Sequence, residues 1–167
     1  AAPILRAAGL SPSRVGIYVV QDRNLNAFVL DNSGIYIHSG MILRLTRAAE
    51  LQAVIAHEAA HIANGHIVRR GVNAQSARNV ALLGMALSAA AGAATGQGAA
   101  AAGVALGVAS SSQRVFFGHT RAEESAADQS GIRYMAAAGA DTSGAVSVME
   151  LFSGQEALPE RRQDIYA

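Results

Sequence analysis

The spacing of hydrophobic positions changes once along the chain, from a strand-like to a helix-like period. Val15 to Val20 is rich in β-branched residues, which favours a strand. Ala27–Leu30 and Ile35–His38 are two further short strand candidates. Asp31-Asn32-Ser33-Gly34 between them is a turn signature, so the two should form a hairpin. Ahead of them, residues 1–14 carry Pro3, Gly9 and Pro12 as breakers and read as an irregular leader. Met41–Leu45 is apolar and suits a small separate helix. From there Leu51, Val54, Ile55 and Ile62 recur at helical spacing. Thr46 is placed to cap that helix, and Glu50 falls in its first turn, where the helix dipole favours an acid. The pattern predicts one mostly buried helix over 47–69.

The second half of the chain is different. Residues 79–113 hold no charged residue and are dominated by Ala and Gly, with Thr95-Gly96-Gln97-Gly98 in the middle. Two small-residue helices and a turn are expected. Val80–Ala94 and Ala99–Ser110 are each shorter than the roughly 20 residues a membrane-spanning helix needs. Residues 120–138 should form a further helix, ended by Gly139, and Ser143–Phe152 a last one. The expected fold is α+β and mainly helical, with a small antiparallel hairpin, in a single domain over 1–167.

Composition narrows the chemistry. The hydrophobic fraction is 51%, enough for a buried core, and charged residues make up only 15% against the usual quarter or so. With 13 basic and 12 acidic residues there is no basic footprint for nucleic acid. There is no cysteine, so any metal must use histidine and carboxylate.

Such residues occur at a telling spacing. His57-Glu58-Ala59-Ala60-His61 is an HExxH pattern. Residues four apart on a helix lie about 40° apart around its axis, so His57 and His61 can grip one ion. Glu58 lies within about 100° of the same face, in reach of a water on that ion. The bland alternative is a pair of surface histidines flanking a solvated glutamate. The apolar neighbours argue against it. A catalytic zinc site needs a third protein ligand. His66 falls about 180° from His57 on a continuous helix and reads as a packing or polar contact. Spacing leaves His38 and His119 open. Glu124 and Asp128 form an i, i+4 carboxylate pair in 120–138. Glu124 could be the ligand, with Asp128 accepting a hydrogen bond from the outward nitrogen of a ligating histidine. Ala126 and Ala127 would let that helix approach closely. Glu123 beside them keeps a solvated acidic face equally open on spacing alone.

At these motifs the chain resembles the HtpX/CAAX-prenyl-endopeptidase superfamily of zinc metallopeptidases, and especially its BepA-like bacterial periplasmic branch. The resemblance rests on Asn26-Ala27-Phe28, Gly34-Ile35-Tyr36-Ile37 and Gly40. It rests also on the run Glu50 to His61 with His66, and on Arg121-Ala122-Glu123-Glu124-Ser125-Ala126-Ala127-Asp128-Gln129-Ser130-Gly131. It implies a zincin-type domain with the hairpin beside the active-site helix. It implies Glu124, four residues before the aspartate, as third ligand with His57 and His61, and one zinc per chain. Members of that branch continue into a His-Pro element and a TPR-repeat domain. Neither occurs up to Ala167, so the natural protein is expected to be longer or a minimal form.

The function that follows is a zinc-dependent endopeptidase acting on protein or peptide substrates, with Glu58 as the catalytic base. An extended substrate would pair with the edge of the strands at 26–38. His119 and Arg121 are candidates for stabilising the oxyanion, and Arg121 is equally a candidate partner of Glu124. The resemblance implies the periplasm or a membrane-associated place in the envelope, with protein quality control and the outer-membrane assembly machinery as its setting. The alternative is a zinc-binding chaperone or assembly module with little proteolysis. The stretch 79–113 is expected to act as a lid, with membrane contact as the competing role.

Overall fold

The computed structural model describes residues 1–95 and 121–156. The elements in chain order are α1 (Ala2–Ala7), β1 (Gly16–Val20), β2 (Ala27–Val29), β3 (Gly34–His38), α2 (Ser39–Arg44), α3 (Ala48–Ala63), α4 (His66–Thr95), α5 (121–137) and α6 (Ser143–Glu156). The chain divides into two units, Ala1–Ile67 with Ser125–Ala167, and Val68–Glu124.

In the first unit, the expected leader is helical. Pro3 lies in the first turn of α1, where its missing N–H costs nothing, and the helix buries Ile4 and Leu5. The expected hairpin is present. β2 and β3 are antiparallel with Phe28 opposite Tyr36, and Asp31 closes the turn by accepting the Ser33 N–H at 2.7 Å. The sheet, however, is mixed rather than purely antiparallel. β1 pairs with β3 in parallel, Tyr18 opposite Tyr36, giving the order β1-β3-β2. The loop from β1 carries the chain past β3 to its far side. Backbone bonds return there: the Gly40 N–H donates to the Asp22 carbonyl at 2.7 Å. β3 is therefore central, and its Ile35 and Ile37 are fully buried. With Ile4, Leu5, Leu25 and Met41 they form a core. Each such side chain contributes about 1.5–3 kcal/mol on burial.

The centre of this unit is α3, which packs on α1, α6 and strands β2 and β3. Its start differs from expectation. Arg47, not Thr46, is the N-cap residue, and no cap side chain bonds the first turn. Instead Glu50 reaches back, accepting the Thr46 N–H at 2.7 Å and the Arg47 N–H at 3.2 Å. That is the backward half of a capping box. Its end also differs. The single helix expected over 47–69 is two, because Gly65 takes φ +68° and terminates α3 after Ala63. Ala56, Ala59 and Ala60 are completely buried, which brings neighbouring elements close to the α3 backbone.

In the second unit, α4 runs unbroken to Thr95, so the expected helix at Val80–Ala94 is the end of a longer one that starts at His66. The expected helix Ala99–Ser110, the turn after Thr95 and His119 lie outside the described residues. No helix among the described residues is long and apolar enough to cross a membrane.

Candidate metal centre

The two histidines of the motif sit on successive turns of α3, and the structure turns the same ring nitrogen of each inward. His57 Nε2 and His61 Nε2 face each other at 3.0 Å. Two nitrogens bound to one tetrahedral zinc at about 2.0–2.1 Å would stand roughly 3.3 Å apart. The spacing therefore fits a shared ion to within a few tenths of an ångström. The outward nitrogens are both occupied. His57 Nδ1 lies 2.9 Å from Asp128 Oδ1, and His61 Nδ1 lies 3.0 Å from His66 Nδ1. An ionised carboxylate can only accept, so this contact favours the His57 tautomer with its proton on Nδ1 and turns Nε2 toward His61.

Asp128 reaches His57 because α5 lies directly against the α3 backbone. Ala127 is fully buried. A Cβ added at Gly131 would stand 3.2 Å from the His57 backbone nitrogen, so only glycine leaves this approach unstrained. One further bond ties the helices, from Asn64 Nδ2 to Ser130 Oγ at 3.3 Å, and Arg133 also donates to that hydroxyl at 2.8 Å. Glu124 precedes Asp128 by one turn of α5. Among the described residues, His57, His61 and Glu124 form a group whose potential ligand atoms all lie within 4.8 Å of one another. Two imidazoles and one carboxylate, without thiolate, form a donor set suited to zinc.

One arginine engages both acids at the start of α5. Arg70 donates from Nε to Glu123 at 2.8 Å and from its terminal nitrogen to Glu124 at 2.7 Å. Glu123 is buried, at 8% exposure, so the solvated acidic face that spacing left open does not describe it. Glu58, between the two histidines in sequence, is also buried at 7%. His38 ends β3 in the core, 3.6 Å from Asp22, and is not in the three-residue group. Arg121 is exposed. Sequence reasoning did not single out Arg70, and it read His66 as a packing or polar contact without naming His61 as the residue it meets. Nothing in the spacing marks Arg70. His66 reads as facing away only if α3 runs straight through Gly65.

Residues 1–165 match peptidase family M48. The chain is 33% identical over 128 residues to a protein of Vibrio cholerae named a beta-barrel assembly-enhancing protease, covering 74% of this chain and 25% of that protein. It is 40% identical over 65 residues to a protein of Shewanella loihica named protease HtpX, covering 36% of this chain and 22% of that protein. An Aeromonas hydrophila protease HtpX is 39% identical over 67 residues, 38% of this chain and 22% of that protein. The chain thus spans about a quarter or less of the length of the curated relatives it matches. With nearly its whole length matching the family, the chain belongs to peptidase family M48.

Proposed function

We propose that this chain is a zinc-dependent endopeptidase domain in which His57, His61 and Glu124 hold one zinc and Glu58 is the base. The observation that carries it is the convergence of two Nε2 atoms at 3.0 Å while both outward nitrogens are engaged. That arrangement turns two ring nitrogens toward one point, on the helix that also carries the buried Glu58. Family membership supports a metal cofactor, and the protease names of the relatives support protein substrates. A bound zinc would supply Lewis acidity toward the scissile carbonyl and lower the pKa of a water. The Glu58 carboxylate takes a proton from the attacking water and returns it to the leaving amine nitrogen. Asp128 keeps the His57 ring from rotating as charge develops. Arg121 and His119 are the proposed donors to the oxyanion. An extended substrate would add to the outer edge of β2, whose other side pairs with β3. The name of the Vibrio cholerae relative supports a setting in envelope protein assembly, and with it the periplasm. The 79–113 stretch is proposed as a cover for the site.

Glu58→Gln keeps the shape of the side chain and removes the base. It should retain zinc in elemental analysis and lose casein digestion by at least the 10²–10⁴-fold typical of general-base removal. Activity surviving within about tenfold would remove Glu58 from that role. Retained chaperone activity in this variant, with wild-type proteolysis absent as well, would favour the assembly-module reading.

A further inference from the structure

His66 is among the most buried polar side chains described, at 2% exposure. On a straight helix a residue five positions on would point about 140° away. The left-handed turn at Gly65 ends α3 and starts α4 at His66, which brings the His66 ring back onto His61. Nδ1 meets Nδ1 at 3.0 Å. Both rings are shielded, His61 being 5% exposed, so water is poorly placed to substitute for either partner.

We propose that His66 is a positioning residue that fixes the tautomer and orientation of His61 as a metal ligand, a reading that rests on the metal site proposed above. A histidine can give a metal only a nitrogen that carries no proton. His61 Nε2 is the nitrogen facing His57 Nε2, so in the loaded site the His61 proton sits on Nδ1. His66 Nδ1, 3.0 Å from His61 Nδ1, is placed to accept it. His66 therefore carries its own proton on Nε2. His57 is thus held by the Asp128 carboxylate, while His61 meets the His66 imidazole.

The test uses the zinc-loaded chain. His66→Leu removes the nitrogen that meets His61 Nδ1. Zinc affinity by chelator competition should fall about 10–100-fold. His66→Asn places an acceptor oxygen where Nδ1 stood and should recover most of that loss. Equal weakening by both variants would return His66 to a packing role, and unchanged affinity in His66→Leu would remove it from the site. If wild-type chain binds no zinc, the metal reading falls and takes this inference with it. A wild type that binds zinc beside an unaffected His66→Leu sinks the inference alone. Long-range proton–nitrogen NMR of wild-type rings decides the matter even if a variant fails to fold. His61 should show Nδ1–H and His66 should show Nε2–H. A proton on His66 Nδ1 in the loaded protein would overturn the assignment.

Discussion

Asp128 and Glu124 lie one helical turn apart on α5, yet their tasks are distinct. Asp128 meets the outward nitrogen of His57, and Glu124 belongs to the group that could hold a metal. The difference sets the size of the expected effects. Asp128→Asn keeps the shape but replaces a charged acceptor with a neutral amide. Zinc affinity should fall about 10–100-fold by chelator titration. Glu124→Ala removes a donor outright and should abolish stoichiometric zinc. Glu123→Ala should retain it, since Glu124 and not Glu123 belongs to the three-residue group with His57 and His61. Equal zinc loss at 123 and 124, by elemental analysis, would sink the ligand assignment. The i, i+4 spacing of Glu124 and Asp128 was legible in the sequence, as was that of His57 and His61. The choice between Glu123 and Glu124 was not, because adjacent residues on a helix differ by about 100° and spacing alone does not say which face packs.

At the scale of elements, Glu50 shows how a helix start can depend on a side chain three residues inside it. Its carboxyl is held below the usual carboxylate range, first by the Thr46 backbone N–H, with burial opposing and the Arg47 N–H and both side chains adding to the lowering. A depressed pKa in the fold means stability that is present above the unfolded value and lost as pH falls through the folded one. The acid limb of unfolding, below about pH 4.3, should therefore contain a Glu50 contribution. Glu50→Gln should flatten that limb and leave neutral-pH zinc binding intact. Circular dichroism melts between pH 3 and 6, about the span of carboxylate titration, would show it, and an unchanged limb would remove Glu50 as its source. The strands, the hairpin turn and the last helix were legible because their residues carry local preferences. The break in 47–69 was harder to see. Asn64-Gly65 is a terminating dipeptide, but the apolar spacing that runs up to Ile62 masks the stop. The helix in 1–14 was hidden by its prolines, although Pro3 sits where a helix tolerates one.

On the scale of the molecule, the parallel pairing of β1 was the least legible feature. It joins residues far apart in sequence through packing, and no local signal marks a strand's neighbour. That pairing has a consequence for how the protein behaves in a tube. β1 lies at the end of the strand order, and among the described residues only β3 pairs with it. The strand reads Gly-Ile-Tyr-Val-Val, with neither a charge nor a proline to discourage a stranger. Tyr18 and Val19 are 51% and 64% exposed along it. A purified chain should then grow more turbid with concentration and on standing, independently of its metal. Val19→Lys places a charge on that rim and should suppress the light scattering while sparing zinc content. Scattering that is flat in the wild type, or unchanged by the lysine, would mean that this margin of the sheet is not where copies of the chain meet.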